Sequence, residues 1–176
     1  RSFISNIAFV QECDVTDEAS MDKLFEIAKE KWGKIDFIVH GIAFADKDEL
    51  RGRYIDTSLK NFLNSMNISC YSLTALAKRA EPLMSEGGSI ITLSYYGAEK
   101  VIPYYIAMVL AKSALETSVK NLANDTRAGN RRVNSKSAGQ VRTITASETG
   151  HSKTLTKGTE RTTAFKSYTT NIEKLA

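Results

Sequence analysis

Cysteine is scarce, with two residues in 176, Cys13 and Cys70, so no disulfide framework can hold this chain together. The pair reads as reduced thiols in a reducing compartment, and the chain as cytoplasmic. Histidine is equally rare, with His40 and His151 alone. No grouping of His, Cys and carboxylates has metal-ligand spacing, so no metal is expected. No apolar run approaches the roughly 18–20 residues that span a bilayer, so no membrane association is expected. The first residues, Arg1-Ser2-Phe3-Ile4-Ser5, lack the basic-then-apolar build of a signal peptide. Internal repeats are absent too.

What is present fits one globular domain: 42% hydrophobic residues against 25% charged. The net charge is +4, with basic residues concentrated late, at Lys120, Arg127, Arg131, Arg132, Lys136 and Arg142, then at Lys153, Lys157, Arg161 and Lys166. No aromatics interleave the first cluster, and neither helix-turn-helix nor zinc spacing accompanies it. The charge therefore points to a solvated basic surface or an acidic protein partner, not to nucleic acid.

Strand and helix signals alternate along the first three quarters. Ile7-Ala8-Phe9-Val10 predicts a short buried strand ending near Cys13-Asp14-Val15. Met21, Leu24, Phe25, Ala28 and Trp32 recur at helical spacing, with Thr16 or Asp17 placed to cap and Gly33 to terminate. Ile35–Val39 predicts a second strand. A polar loop over about 40–55 leads to a long helix from about Thr57 to Met84, broken by Gly87-Gly88. Ser89–Ser94 predicts a third strand. Pro103 opens another helix, and Arg132–Ser135 predicts a fourth strand.

That order predicts an α/β fold: a doubly wound, mainly parallel sheet of the Rossmann-like type, three layers deep, with helices on both faces. Ligands in such sheets bind at the carboxyl ends of strands. Asp14-Val15, His40-Gly41-Ile42-Ala43 and Tyr95-Tyr96-Gly97 follow strand ends and are the places to look for chemistry. Beyond about residue 145 threonine, lysine, serine and glutamate dominate, and no long periodic element stands out. The chain thus divides into a domain over 1–145 and a polar segment over 146–176, with a short helix at Asn171–Leu175.

Tyr105 and Lys112 are seven apart, two helical turns, which predicts one shared helix face. Tyr95 ends the preceding strand, so all three side chains can converge. A phenol can hydrogen-bond a developing oxyanion, and a nearby ammonium is expected to favour phenolate and lower the tyrosine pKa. Alone, the pair also fits an amphipathic helix with a boundary tyrosine and a snorkelling lysine. His40 reads as structural, because nothing in the sequence supplies a partner for a general base.

The stretch Leu93–Tyr105, with Met108, Ala111-Lys112 and Ala114-Leu115-Glu116, resembles the active-site region of bacterial enoyl-acyl-carrier-protein reductases. These form a divergent branch of the short-chain dehydrogenase/reductase family, marked by Tyr-x6-Lys with a second Tyr ten residues earlier. Tyr95, Tyr105 and Lys112 fit both intervals. The resemblance runs from about Gln11 to Thr145. It includes Cys13-Asp14-Val15, Val39–Ala45, Arg132-Val133-Asn134 and Ser137–Thr143. A competing match, Tyr96-x3-Lys100, belongs to ordinary carbonyl-acting members of the family, but there it lies within a helix with a Ser thirteen residues earlier. Here Gly97 follows the tyrosine, and residue 83 is Leu83.

The resemblance implies reduction of trans-2-enoyl thioesters by NADH in type II fatty-acid synthesis. It implies a catalytic group of Tyr95, Tyr105 and Lys112. The cofactor would meet Asp14, Val15, Gly41, Ile42, Ala43, Lys112, Gly139, Val141 and Thr143. The substrate would meet Phe44, Ala45, Tyr95, Tyr105 and Met108. Acyl carrier protein is the implied partner and a homotetramer the implied assembly, with the helices over about 57–84 and 104–124 between subunits. The family begins with a glycine-rich βαβ unit that holds the pyrophosphate. This sequence starts after that unit. It also carries Gln140 where the family has proline, Lys136 where an apolar strand residue is expected and Val109 where glycine is common. The remaining readings are a carbonyl-acting relative and a non-catalytic one.

Overall fold

The computed structural model describes residues 9–50, 52–99 and 105–137, apart from the Tyr96 side chain. Helix α1 spans Glu18–Trp32. The Asp17 carboxylate accepts the Ala19 N–H to cap its start, and Gly33, at φ +69°, closes it by donating its N–H to Lys29 O. Strand β1, Phe37–His40, follows.

The long apolar stretch forms one helical rod with a fault in it. Helix α2, Leu59–Met66, is capped by Ser58, whose hydroxyl accepts the Asn61 N–H. One π turn, Asn67–Tyr71, joins it to α3, Ser72–Ala80, and the Ser72 N–H reaches back five residues to Asn67 O. A 3₁₀ turn at Glu81–Leu83 then ends the rod. Gly87-Gly88 is therefore not the breaker that the sequence suggests. A Cβ at Gly88 would lie 2.9 Å from both Asp36 O and Met84 Sδ, so this pair allows close backbone approach as the chain enters β2.

Strand β2 spans Gly88–Ser94, α4 spans Ile106–Thr126 and β3 spans Arg131–Ser137. The strands pair in the order β1-β2-β3, all parallel, with Val39 opposite Ile91 and Ile91 opposite Asn134. Helical crossovers between parallel neighbours give the Rossmann-type arrangement that the sequence predicts.

Ile90 and Val133 point into a core with Leu73, Ala77 and Ala80 of α3 and Leu115 and Val119 of α4. Phe37, Val39, Ile91 and Leu93 alternate onto the opposite face and are exposed. Among the described residues, helices thus cover one face of the sheet. The remaining departure concerns the first predicted strand. Ile7 and Ala8 lie outside the described residues, and Phe9 and Val10 have no strand pairing. A strand exists through its ladder, and none is available to this segment there; Phe9 instead stacks on Trp32, ring centroids 4.9 Å apart. The segment 146–176, with its predicted terminal helix, lies outside the described residues.

Candidate active site

The carboxyl end of β2 carries the densest set of polar anchors to α4. Lys112 is almost fully buried, and its Nζ donates to Leu93 O at 2.8 Å. One turn on, Ser94 Oγ hydrogen-bonds the Glu116 carboxylate. Ser113 Oγ donates to Ala98 O at 2.7 Å, and the Ala98 N–H closes a tight turn onto Tyr95 O at 2.8 Å. These bonds fix where the chain leaves the sheet. That exit carries Tyr95, whose ring meets Tyr105 edge-on at a centroid separation of 4.9 Å.

Tyr105 is not on a face of the helix, as its spacing from Lys112 suggests. Its backbone, at φ −131° and ψ 23°, is the non-helical cap of α4, and its carbonyl accepts the Val109 N–H. A cap residue faces the mouth of the site, which is how it reaches Tyr95. Burial, and then Tyr95, raise the Tyr105 phenol well above its usual range. This corrects the expected lowering by Lys112. The ammonium is engaged with Leu93 O, and burial itself pushes the lysine down. The pair can therefore offer a neutral phenol as donor and a buried cation. Among the described residues that cation donates to Leu93 O, which leaves two of its three N–H groups for a ligand hydroxyl.

At the end of β1, His40 is fully buried and does have partners. Its Nδ1 lies 2.8 Å from Thr92 Oγ1 and its Nε2 2.9 Å from Ser72 Oγ. Ser72 Oγ also donates to Ile68 O at 2.6 Å and Thr92 Oγ1 to the His40 carbonyl at 3.2 Å. A neutral ring donates from one nitrogen and accepts at the other, so one of the two hydroxyls turns its proton to the imidazole. Burial foremost, and then the Lys112 charge, hold the imidazole pKa down to about 4 from 6.5. His40 is thus a neutral tie between β1, β2 and α3, in keeping with its structural reading. The unfolded chain protonates it where the fold does not, so its contribution is complete above about pH 6.5 and is lost as pH falls toward 4. Denaturant titrations across that window should show a loss on the order of 3 kcal/mol from this group. His40→Gln should flatten the slope; an undiminished slope in the variant would refute the assignment.

After His40 the chain runs along the strand ends. Gly41 is exposed beside Leu93, and Ile42 packs with Val15 against the cluster of Met21, Ala75 and Leu76. Two of the segments expected to meet the cofactor are thereby brought together. Asp14 is exposed; its Oδ1 accepts Thr16 N–H at 2.8 Å and Thr16 Oγ1 at 2.7 Å, which lowers its pKa. Ala43 is exposed, Phe44 and Ala45 are partly so, and Met108 is buried in the first turn of α4. Gly139, Val141 and Thr143 lie outside the described residues, as does Lys100. Tyr96 sits in the 3₁₀ turn Tyr96–Ala98 and not in the helix that the competing Tyr-x3-Lys motif requires.

The sequence reading missed the residues that hold this loop in place. Ser69 Oγ accepts the Phe44 N–H at 2.9 Å and donates to Phe44 O at 3.1 Å. Asn61 Oδ1 accepts the Asp46 N–H at 3.0 Å and the Ser65 hydroxyl at 3.2 Å. Asn61, Ser65, Ser69 and Ser72 are all buried. Their spacing of four, four and three along an otherwise apolar helix face was the available signal.

A family model described as enoyl-(acyl carrier protein) reductase matches residues 4–176. The chain belongs to this family. A curated enoyl-[acyl-carrier-protein] reductase [NADH] FabI of Rickettsia conorii is 56% identical over 162 residues, 92% of this chain and 62% of its own length. Among solved structures, the enoyl reductase of Anaplasma phagocytophilum in complex with NAD matches with a TM-score of 0.82 at 54% identity. That match covers 86% of this chain and 58% of the other. FabI of Candidatus Liberibacter asiaticus matches with a TM-score of 0.86 at 45% identity, covering 92% and 62%. The chain therefore spans about three fifths of the length of these enoyl reductases. Among the described residues no helix is long and apolar enough to cross a membrane, and no three His, Cys, Asp or Glu gather as a metal site.

Proposed function

We propose that this chain is the catalytic part of an NADH-dependent enoyl-acyl-carrier-protein reductase. The observation that carries the reading is the edge-on contact of Tyr95 with Tyr105 at the exit of β2, beside the buried Lys112. Bound NADH supplies the hydride for the β-carbon of a trans-2-enoyl thioester. As that carbon is reduced, charge builds on the thioester oxygen. Tyr105 Oη, kept protonated by its burial, donates a hydrogen bond to that oxygen. Tyr95 holds the Tyr105 ring in place and shapes the acyl site. Lys112 Nζ, anchored on Leu93 O, offers its free donors to a ribose hydroxyl. Asp14, Val15, Gly41, Ile42 and Ala43 form the described edge against which the cofactor would lie; Gly139, Val141 and Thr143, outside the described residues, are assigned to the same cofactor. Phe44, Ala45 and Met108 line the substrate side.

The donor set fits the cofactor: a cation with unused N–H groups, an exposed glycine at a strand end, and Val15 and Ile42 on one apolar cluster. Acyl carrier protein, an acidic partner, suits the net charge of +4. The homotetramer that the family resemblance implies would put α2 and α4 between subunits, where an open groove is lined by Phe62, Met66, Leu110 and Ala114 with three hydroxyl residues of α4. The segment 146–176 is assigned to substrate covering within the same domain, and the protein to the cytoplasm.

The test uses the full-length protein. NADH should be consumed with a crotonyl thioester and not with a simple ketone. Turnover of the ketone alone would favour the carbonyl-acting reading, and failure to bind any dinucleotide the non-catalytic one.

A further inference from the structure

Phe44 is only partly packed: 46% of its surface is exposed, so the core does not fix its ring. Its backbone is fixed instead, and by one side chain. Ser69 accepts from its N–H and donates to its C=O, from a position with no exposed surface. A hydroxyl can serve both bonds because it carries one proton and two lone pairs. Two residues on, Asn61 takes the Asp46 N–H. The loop after β1 is thus tied at alternate residues to one face of the α2–α3 rod.

Ser69 sits at the centre of the π turn Asn67–Tyr71. Such turns add a residue to the helical ladder and recur at functional sites. Ser72, at the next residue after the turn, lies against His40, which immediately precedes the same loop. The turn therefore aims two hydroxyls at the two ends of the segment 40–44. A hydroxyl with no role outside its own helix bonds the carbonyl four residues back, as Thr117 does to Ser113 O and Thr126 to Leu122 O. Ser69 instead spends both its acceptor and its proton on Phe44.

We propose that Ser69 is a positioning residue that sets the acyl-binding wall by locking the main chain of Phe44. The proposal rests on the enoyl reductase reading, in which Phe44 faces the acyl group. Both residues act on the thioester and not on the nicotinamide. In the full-length enzyme, Ser69→Ala should raise KM for the crotonyl thioester about tenfold, with KM for NADH changed by less than about twofold. Amide exchange at Phe44 should quicken in the variant, a readout independent of turnover. Phe44→Ala, at a half-exposed position, should raise the same KM, and adding Ser69→Ala to it should have little further effect.

Full additivity of the two substitutions, or an unchanged thioester KM in Ser69→Ala, overturns the proposal. If Ser69→Ala does not fold, Ser69→Cys keeps the volume with a weaker donor and is read by the same criteria. Wild-type protein inactive on the thioester would fell the enoyl reductase reading and this inference with it. Active wild type with an unperturbed Ser69→Ala fells the inference alone.

Discussion

Replacing Tyr105 by Phe should lower kcat on an enoyl thioester by about 100- to 1,000-fold, the scale on which enzymes lose a single oxyanion donor. The ring stays, so its edge-on contact with Tyr95 and the cap of α4 stay with it. What goes is one O–H aimed at the oxygen that gains charge. The loss should therefore fall on kcat, with KM for NADH little changed. The phenol is raised by burial and by Tyr95, so it remains a donor beyond the pH at which an ordinary tyrosine ionises. The wild-type pH profile should accordingly show no tyrosine limb near the usual phenol value of about 10. Wild-type-like kcat in Tyr105→Phe would remove the phenol from the mechanism.

Lys112→Met should be more damaging, and in a different parameter. Methionine fills much of the buried lysine stem, so packing under the strand end is largely kept. The variant loses the bond to Leu93 O and the two donors left for a ligand. Loss of that charge-assisted hydrogen bond is expected to destabilise by about 1.5–3 kcal/mol. Loss of the cation should raise KM for NADH by at least about tenfold, alongside a fall in kcat. Because burial lowers the lysine pKa, cofactor binding should weaken with rising pH sooner than an ordinary lysine predicts. Equal NADH affinity in wild type and Lys112→Met, measured by fluorescence titration, would rule out the ribose role.

The parallel order of β1, β2 and β3 was legible because short β-branched runs alternated with long 3.6-periodic ones, and that contrast survives without any tertiary knowledge. The pairing of Tyr95 with Tyr105 was legible for a related reason: a strand end and a helix start must meet when the connection is short. The protonation of Tyr105 was not. Sequence shows that a lysine is near, but only packing shows that Lys112 spends its charge on Leu93 O while the phenol is desolvated. The π turn escaped as well. Apolar spacing tolerates one extra residue, and the feature became visible only through the Ser72 N–H reaching Asn67 O. His40 was read as structural for want of a partner, and its partners, Thr92 and Ser72, come from elements 52 and 32 residues away.

That π turn also marks where this chain tolerates a change of length. It holds one residue more than an α turn, so the surplus is absorbed locally and α geometry resumes on either side. Asn61 and Ser65 upstream thereby keep facing the loop, while Leu73, Ala77 and Ala80 downstream keep facing the core. Deleting one residue between Asn67 and Tyr71 should relax the turn to α geometry with both faces largely in place. The same deletion inside α4 would swing everything beyond it by about 100°, one residue's rotation. The cost of the shorter rod would fall on Ser69, whose hold on Phe44 depends on where the turn puts its hydroxyl.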